Sequence, residues 1–156
     1  MTRRKAYGGV VIDAQGKVLL REPTGHYHGH VWTFAKGGPE PGELPEHTAL
    51  REVFEETGVR ARILRKIPGS YDGAATSNEF FLMCPVEDTG QFDWETLAVT
   101  WATREEARQL ISLTSKPKRR ARDLKLLEMA YALLYFTHHE APARGAGPEG
   151  SSGEAG

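Results

Sequence analysis

The segment PEHTALREVFEET (45–57) lies between a leucine and a glycine and opens on a proline, and this bracket constrains the fold more than any other feature. Pro45 suits a first helical turn, where its missing N–H would have no partner anyway. Gly58 suits the left-handed position that follows a helix. The spacing predicts a helix over 45–57, with Leu44 as an N-cap that has no side-chain oxygen to offer. Ala49, Leu50, Val53 and Phe54 form its apolar face and should dock it on a sheet. Glu52, Glu55 and Glu56 fall at i, i+3 and i+4, so they share the other face. Like charges so placed repel by a few tenths of a kcal/mol per pair, about 0.2–0.5. A solvated acidic face accepts that repulsion; a hard divalent cation removes it. Arg51 lies about 100° round the helix from Glu52, where it can pair with Glu55 or reach back to Glu43.

The rest of the chain reads as strands and two further helices. AYGGVVI (6–12) and KVLLR (17–21), separated by DAQG, read as a β-hairpin. VWTF (31–34) is a further strand candidate. VRARILRKI (59–67) alternates apolar and basic residues, NEFFLMCPV (78–86) reads as a buried strand, and LAVTW (97–101) as another. Thr103 and Glu106 have capping-box spacing and open a helix over 104–111. RRARDLKLLEMAYALLYF (119–136) carries a helical apolar period. The order predicts an α/β sandwich with a mixed sheet. One domain over 1–137 is expected. Residues 138–156 are rich in Gly, Pro, Ala, Ser and Glu, and are expected to form a disordered tail.

Composition narrows the function classes. The formal net charge of −1 gives no bulk attraction to nucleic acid or membrane. No apolar run approaches the roughly 18 residues of a membrane span, and the N-terminus reads as no signal peptide. The single cysteine, Cys84, excludes an intrachain disulfide. A cytoplasmic protein is expected, with a small nucleotide as partner and with monomer and homodimer both open.

In the loop AKGGPEPGE (35–43), Gly37 and Gly38 allow the backbone close to a ligand, a free carbonyl there can join a metal, and Lys36 can contact a phosphate. The whole pattern runs Gly37, five residues, Glu43, seven residues, Arg51-Glu52-Val53, one residue, Glu55-Glu56, one residue, Gly58-Val59. It resembles the Nudix box of the Nudix hydrolases at every defining position, and the order of elements over about 6–136 is compatible with the Nudix α/β/α sandwich.

The resemblance implies a hydrolase that cleaves a nucleoside diphosphate linked to another group, using Mg²⁺ or Mn²⁺. It implies Glu52, Glu55 and Glu56 as metal ligands with the Gly37 carbonyl, and Arg51 as the residue that orients them through Glu43. Lys36 and Gly38 are the expected substrate contacts. In several members of the family the general base is a glutamate outside the box. Glu79, Glu87 and Glu95 are the candidates here, Glu95 being nearest the late strand; Glu52 is the alternative. The opening KGGPEPGE, in a chain with a short segment before it, is similar to compact bacterial members that act on dinucleoside polyphosphates. Nucleoside triphosphates are the runner-up substrate. ADP-ribose enzymes commonly carry an extra N-terminal region. A non-catalytic nucleotide-binding module would usually have lost box glutamates, and removal of pyrophosphate from RNA 5′ ends would draw on the basic residues 116–122.

Two other features stay open. His26, His28 and His30 alternate in GHYHGHVW, as zinc ligands, as the lining of a substrate entrance, or as a polar loop. SKPKRRARD (115–123) is a solvated helix start or a contact for polyphosphate or RNA.

Overall fold

The computed structural model describes residues 3–139. Six strands and three helices follow one another as β1 (Arg4–Val11), β2 (Val18–Pro23), β3 (Ala35–Gly37), α1 (Pro45–Thr57), β4 (Val59–Lys66), β5 (Thr76–Asp88), β6 (Thr96–Ala102), α2 (Arg104–Ile111) and α3 (Pro117–His139). A short 3₁₀ segment, Thr24–Gly29, joins β2 to the loop before β3.

The strands form a four-stranded mixed sheet in the order β3-β1-β5-β4 and a separate pair, β2-β6. β1 and β5 run parallel, with Val10 opposite Leu82; the other pairings are antiparallel. Successive side chains on a strand point to opposite faces, and the core divides accordingly. Val10, Phe80 and Leu82 join Leu126, Leu127 and Ala130 of α3 and Ile111 of α2. Val11, Phe81 and Met83 join Ala49 and Val53 of α1. The result is the expected α/β/α sandwich. Burial of these side chains is its main driving force, at about 25 cal/mol per Å² of apolar surface removed from water.

α1 has the expected limits. Leu44 is its uncapped N-cap, and Gly58 ends it at φ 78°, a left-handed conformation that costs glycine little. α2 opens on the expected capping box, with the Glu106 N–H donating to Thr103 Oγ1 and the Thr103 N–H to Glu106 Oε1.

Two expectations fail. β1 and β2 are not a hairpin: beyond an Ile12–Val18 bridge they part, one into each sheet. Each is an apolar run buried on both faces, and such runs do not reveal their pairing partners. VWTF is not a strand either. Only Thr33 bridges, to Arg21, and the strand is the next three residues, Ala35–Gly37, which pair with Gly9–Tyr7. Thr33 instead turns its hydroxyl to Asp123 of α3 and Phe34 enters the core. α3 is longer than expected and runs through His139, across the expected domain limit at 137; the proposed tail from residue 140 on lies outside the described residues. No described helix is long and apolar enough to cross a membrane.

Candidate active site

α1 lies against β1, β3 and β4. That contact brings its glutamates to Gly37 at the end of β3. A Cβ on Gly37 would stand 2.2–2.5 Å from the Glu52 carboxylate, so only glycine lets that carboxylate rest there. Glu56 is 6% exposed, and its Oε1 accepts from the Lys36 backbone N–H at 3.2 Å. Arg21 of β2 stands 3.5 Å from the same oxygen. Burial pushes the Glu56 carboxyl up to about 8. The charges of Glu52 and Glu95 add to that rise, while Arg21 and the Lys36 N–H oppose it. Burial, reinforced by Glu55 and opposed by Arg51, also raises Glu52.

Arg51 is the hub of the box. Its Nε and Nη2 donate to the two Glu43 oxygens at 2.8 and 2.9 Å, the bidentate geometry that arginine's planar fork favours. Its Nη1 reaches Glu52 at 3.0 Å and Glu55 at 3.2 Å. Both pairings open to Arg51 in the sequence are therefore made together. The hydrogen bonds from Arg51 hold the Glu43 carboxyl down at about 2. Gly38 is drawn into the same hub, its carbonyl accepting from Arg51 Nη2 at 3.0 Å, and it does not line the cleft described next.

Glu56 is on the wall of a cleft of 690 Å³, together with Lys36, Arg21, Glu95, Arg119 and Arg122. Of the three base candidates outside the box, Glu95 alone lines the cleft. Glu79 is 3.5 Å from Lys66 and Glu87 is 3.2 Å from Arg60, both outside the cleft lining. The loop that carries Glu95 is fixed to β2: the Glu95 carbonyl accepts from Arg21 Nη2 at 2.7 Å and from the Thr24 N–H at 2.9 Å. Tyr27 and Trp94, 68% and 81% exposed, also line the cleft. Large exposed aromatics at a cleft are available for stacking rather than for the core.

The three histidines separate. His26 pairs with Glu22 at 2.9 Å, whereas His28 and His30 line the cleft. Burial pushes His30 down to about 4, with Asp123 opposing. Arg21, Trp94, Arg119 and Arg122 are cleft residues that the sequence did not single out by number. An arginine closing the apolar run KVLLR was a signal for the first, because a buried guanidinium needs a buried partner.

The donor set suits a hard cation. Glu52 and Glu56 act on each other electrostatically, both are raised by burial, and all the oxygens concerned are carboxylate or carbonyl. Among the described residues no three carboxylate, imidazole or thiol groups converge at ligating distance. Glu55, the most exposed of the three helix glutamates, would have to turn from Arg51 to complete such a set.

The NUDIX domain family model matches residues 2–126. The chain belongs to the Nudix family. RNA pyrophosphohydrolases of Pectobacterium atrosepticum and Yersinia enterocolitica are 40% identical to it over 62 residues. That is 40% of this chain and 33% and 34% of those proteins, so the match spans about a third of these curated relatives. Among solved structures, a NUDIX hydrolase of Nitrosomonas europaea superposes with a TM-score of 0.69 at 20% identity, covering 84% of this chain and 90% of that one. A C. elegans Ap4A hydrolase binary complex superposes at 0.66 with 25% identity, covering 83% and 98%. The Nudix box of this chain is thus the segment built around Arg51.

Proposed function

We propose that this Nudix protein is a divalent-metal-dependent pyrophosphohydrolase that cleaves a phosphoric anhydride of a dinucleoside polyphosphate. The observation that carries this reading is the cleft itself. The box carboxylate Glu56 lies on its wall among Arg21, Lys36, Arg119 and Arg122, and two exposed aromatic side chains line the same space. A polyphosphate chain needs cations along its length, and two nucleosides offer two bases to stack. The likeness to the Ap4A hydrolase over most of both chains supports the same substrate class.

Glu52, Glu55 and Glu56, with the Gly37 carbonyl, are the residues that would hold Mg²⁺ or Mn²⁺. The ion, when bound, supplies positive charge against the pyrophosphate oxygens and acidifies water. Arg51, tied to Glu43, keeps Glu52 in place. Lys36 offers an ammonium to the phosphate oxygens. Glu95 accepts a proton from the attacking water, with Glu52 as the alternative base. Water oxygen joins one phosphorus, the bridging P–O bond breaks, and the other phosphate leaves with the bond's electron pair.

Gly37→Ala is expected to leave the fold intact, because the new methyl meets the end of a flexible side chain rather than backbone. It displaces the Glu52 carboxylate, and kcat/KM should fall about a hundredfold, the cost of roughly 1 Å of misplacement in a catalytic group. Turnover near the wild-type value, with an unchanged melting temperature, contradicts the placing of Glu52 and Gly37 in one site.

A second reading, removal of pyrophosphate from a 5′-triphosphorylated RNA, is favoured by the RNA pyrophosphohydrolase matches. The net charge of −1 weighs against it. Diadenosine tetraphosphate and triphosphorylated RNA at equal concentration decide between them. The proposed function predicts that the dinucleotide is consumed first; prior conversion of the RNA overturns it in favour of the second reading.

A further inference from the structure

The basic segment before and within α3 has a placement that the Nudix box does not account for. Arg119 and Arg122 leave the helix one turn apart and both line the cleft, where Lys36 joins them from β3. Three cations drawn together oppose one another, and His30 feels all three. Glu56 on the same wall acts on Lys36, and Asp123, 1% exposed, answers Arg122. Its Oδ1 accepts from Arg122 Nε at 2.9 Å, and its Oδ2 accepts from the Thr33 hydroxyl at 2.8 Å. His30 Nδ1 stands 3.4 Å from Oδ2, and Arg122 Nη2 is 3.5 Å from His30 Nε2. Asp123 is therefore spent on fixing Arg122, which leaves the positive face of the group toward the cleft. An anion with several charges would complete it.

We infer that Arg119 and Arg122, the latter held by Asp123, form an anion subsite on α3 that binds the phosphates of a polyphosphate chain beyond the anhydride being cleaved. This rests on the proposed function for the position of the cleaved bond, but binding of an anion to α3 does not. The subsite gives the protein a preference for three or more consecutive phosphates over a simple diphosphate. Thr33 and Asp123 are positioning residues: Asp123 touches Arg122, Thr33 touches Asp123, and both act on the substrate through Arg122.

The test uses the full chain and inorganic tripolyphosphate, titrated calorimetrically in EDTA so that no metal site contributes. Arg119→Ala is the main variant, because Arg119 is half-buried and sits on the surface of α3. Arg122→Lys keeps the charge while losing the fork, and Arg60→Ala, on β4 away from the cleft, is the control. Wild type and Arg60→Ala should bind tripolyphosphate alike, and Arg119→Ala roughly ten- to hundredfold more weakly, the range for a lost charged hydrogen bond. Arg122→Lys should fall between them. With Mg²⁺, Arg119→Ala should raise KM for diadenosine tetraphosphate by a similar factor, and far more than KM for ADP-ribose. Equal tripolyphosphate affinity in wild type and Arg119→Ala overturns the subsite, as does an equal rise of KM for both nucleotides. If no nucleotide is hydrolysed while tripolyphosphate binding still depends on Arg119, the proposed function fails and the subsite stands.

Discussion

Replacing Glu56 by Gln is expected to lower kcat by at least about a hundredfold, because it removes a charge meant for the metal without changing the shape of the side chain. The protein should stay folded, and its melting behaviour supplies an internal control. The folded Glu56 carboxyl is raised to about 8 by burial, above its ordinary value of 4.5. A carboxyl so raised holds its proton more tightly in the folded chain than in the unfolded one. Its contribution to stability is therefore present at low pH and is lost as pH rises from the ordinary carboxylate range through about 8. In metal-free buffer the Gln variant should thus match or exceed wild type in melting temperature at pH 9, where wild type carries the buried charge. A variant that is inactive and also unstable at every pH points to a structural role. Near-normal turnover in a folded variant contradicts the metal-site reading of α1.

Removal of divalent metal is expected to have the second large effect. Activity in EDTA should fall to below about 1% of that in Mg²⁺, because pyrophosphate oxygens repel an incoming nucleophile unless their charge is met. Added Mg²⁺ or Mn²⁺ should restore it within the mixing time, since a carboxylate and carbonyl site holds such ions loosely compared with a thiolate or imidazole cage. Full activity in EDTA, or dependence on tightly held zinc, would point to the histidines. Their geometry argues otherwise, as His26 is engaged by Glu22 while His28 and His30 lie in the cleft.

What could be read from the chain alone follows the range of the forces involved. The limits of α1 and the capping box of α2 are set by residues a few positions apart, and both are found where expected. The face shared by Glu52, Glu55 and Glu56 is equally local. Strand pairing is not. KVLLR and AYGGVVI are adjacent in sequence, yet each meets its partners only after the chain has run on, β1 at β3 and β5 and β2 at β6. The cleft has the same character. Glu56, Arg21, Glu95 and Arg122 come from α1, β2, the loop before β6 and α3, and no spacing rule links them. Glu79, Glu87 and Glu95 look alike as sequence; only the third is carried into the cleft, by a loop whose backbone is tied to Arg21 and Thr24. The basic segment at 116–122 was visible as charge, but that two of its arginines line the same cleft as Lys36 is a product of the fold.

Anhydride hydrolysis of a dinucleoside polyphosphate can be checked by identifying the products formed from a substrate panel. The protein is incubated with Mg²⁺ and separately with diadenosine polyphosphates, nucleoside triphosphates, ADP-ribose, NADH and nucleotide sugars, and the products are separated by anion exchange. The proposed function requires that diadenosine polyphosphates have the highest kcat/KM and yield two mononucleotides from each cleavage. A higher kcat/KM on ADP-ribose or a nucleotide sugar, or no cleavage of any member, would contradict it.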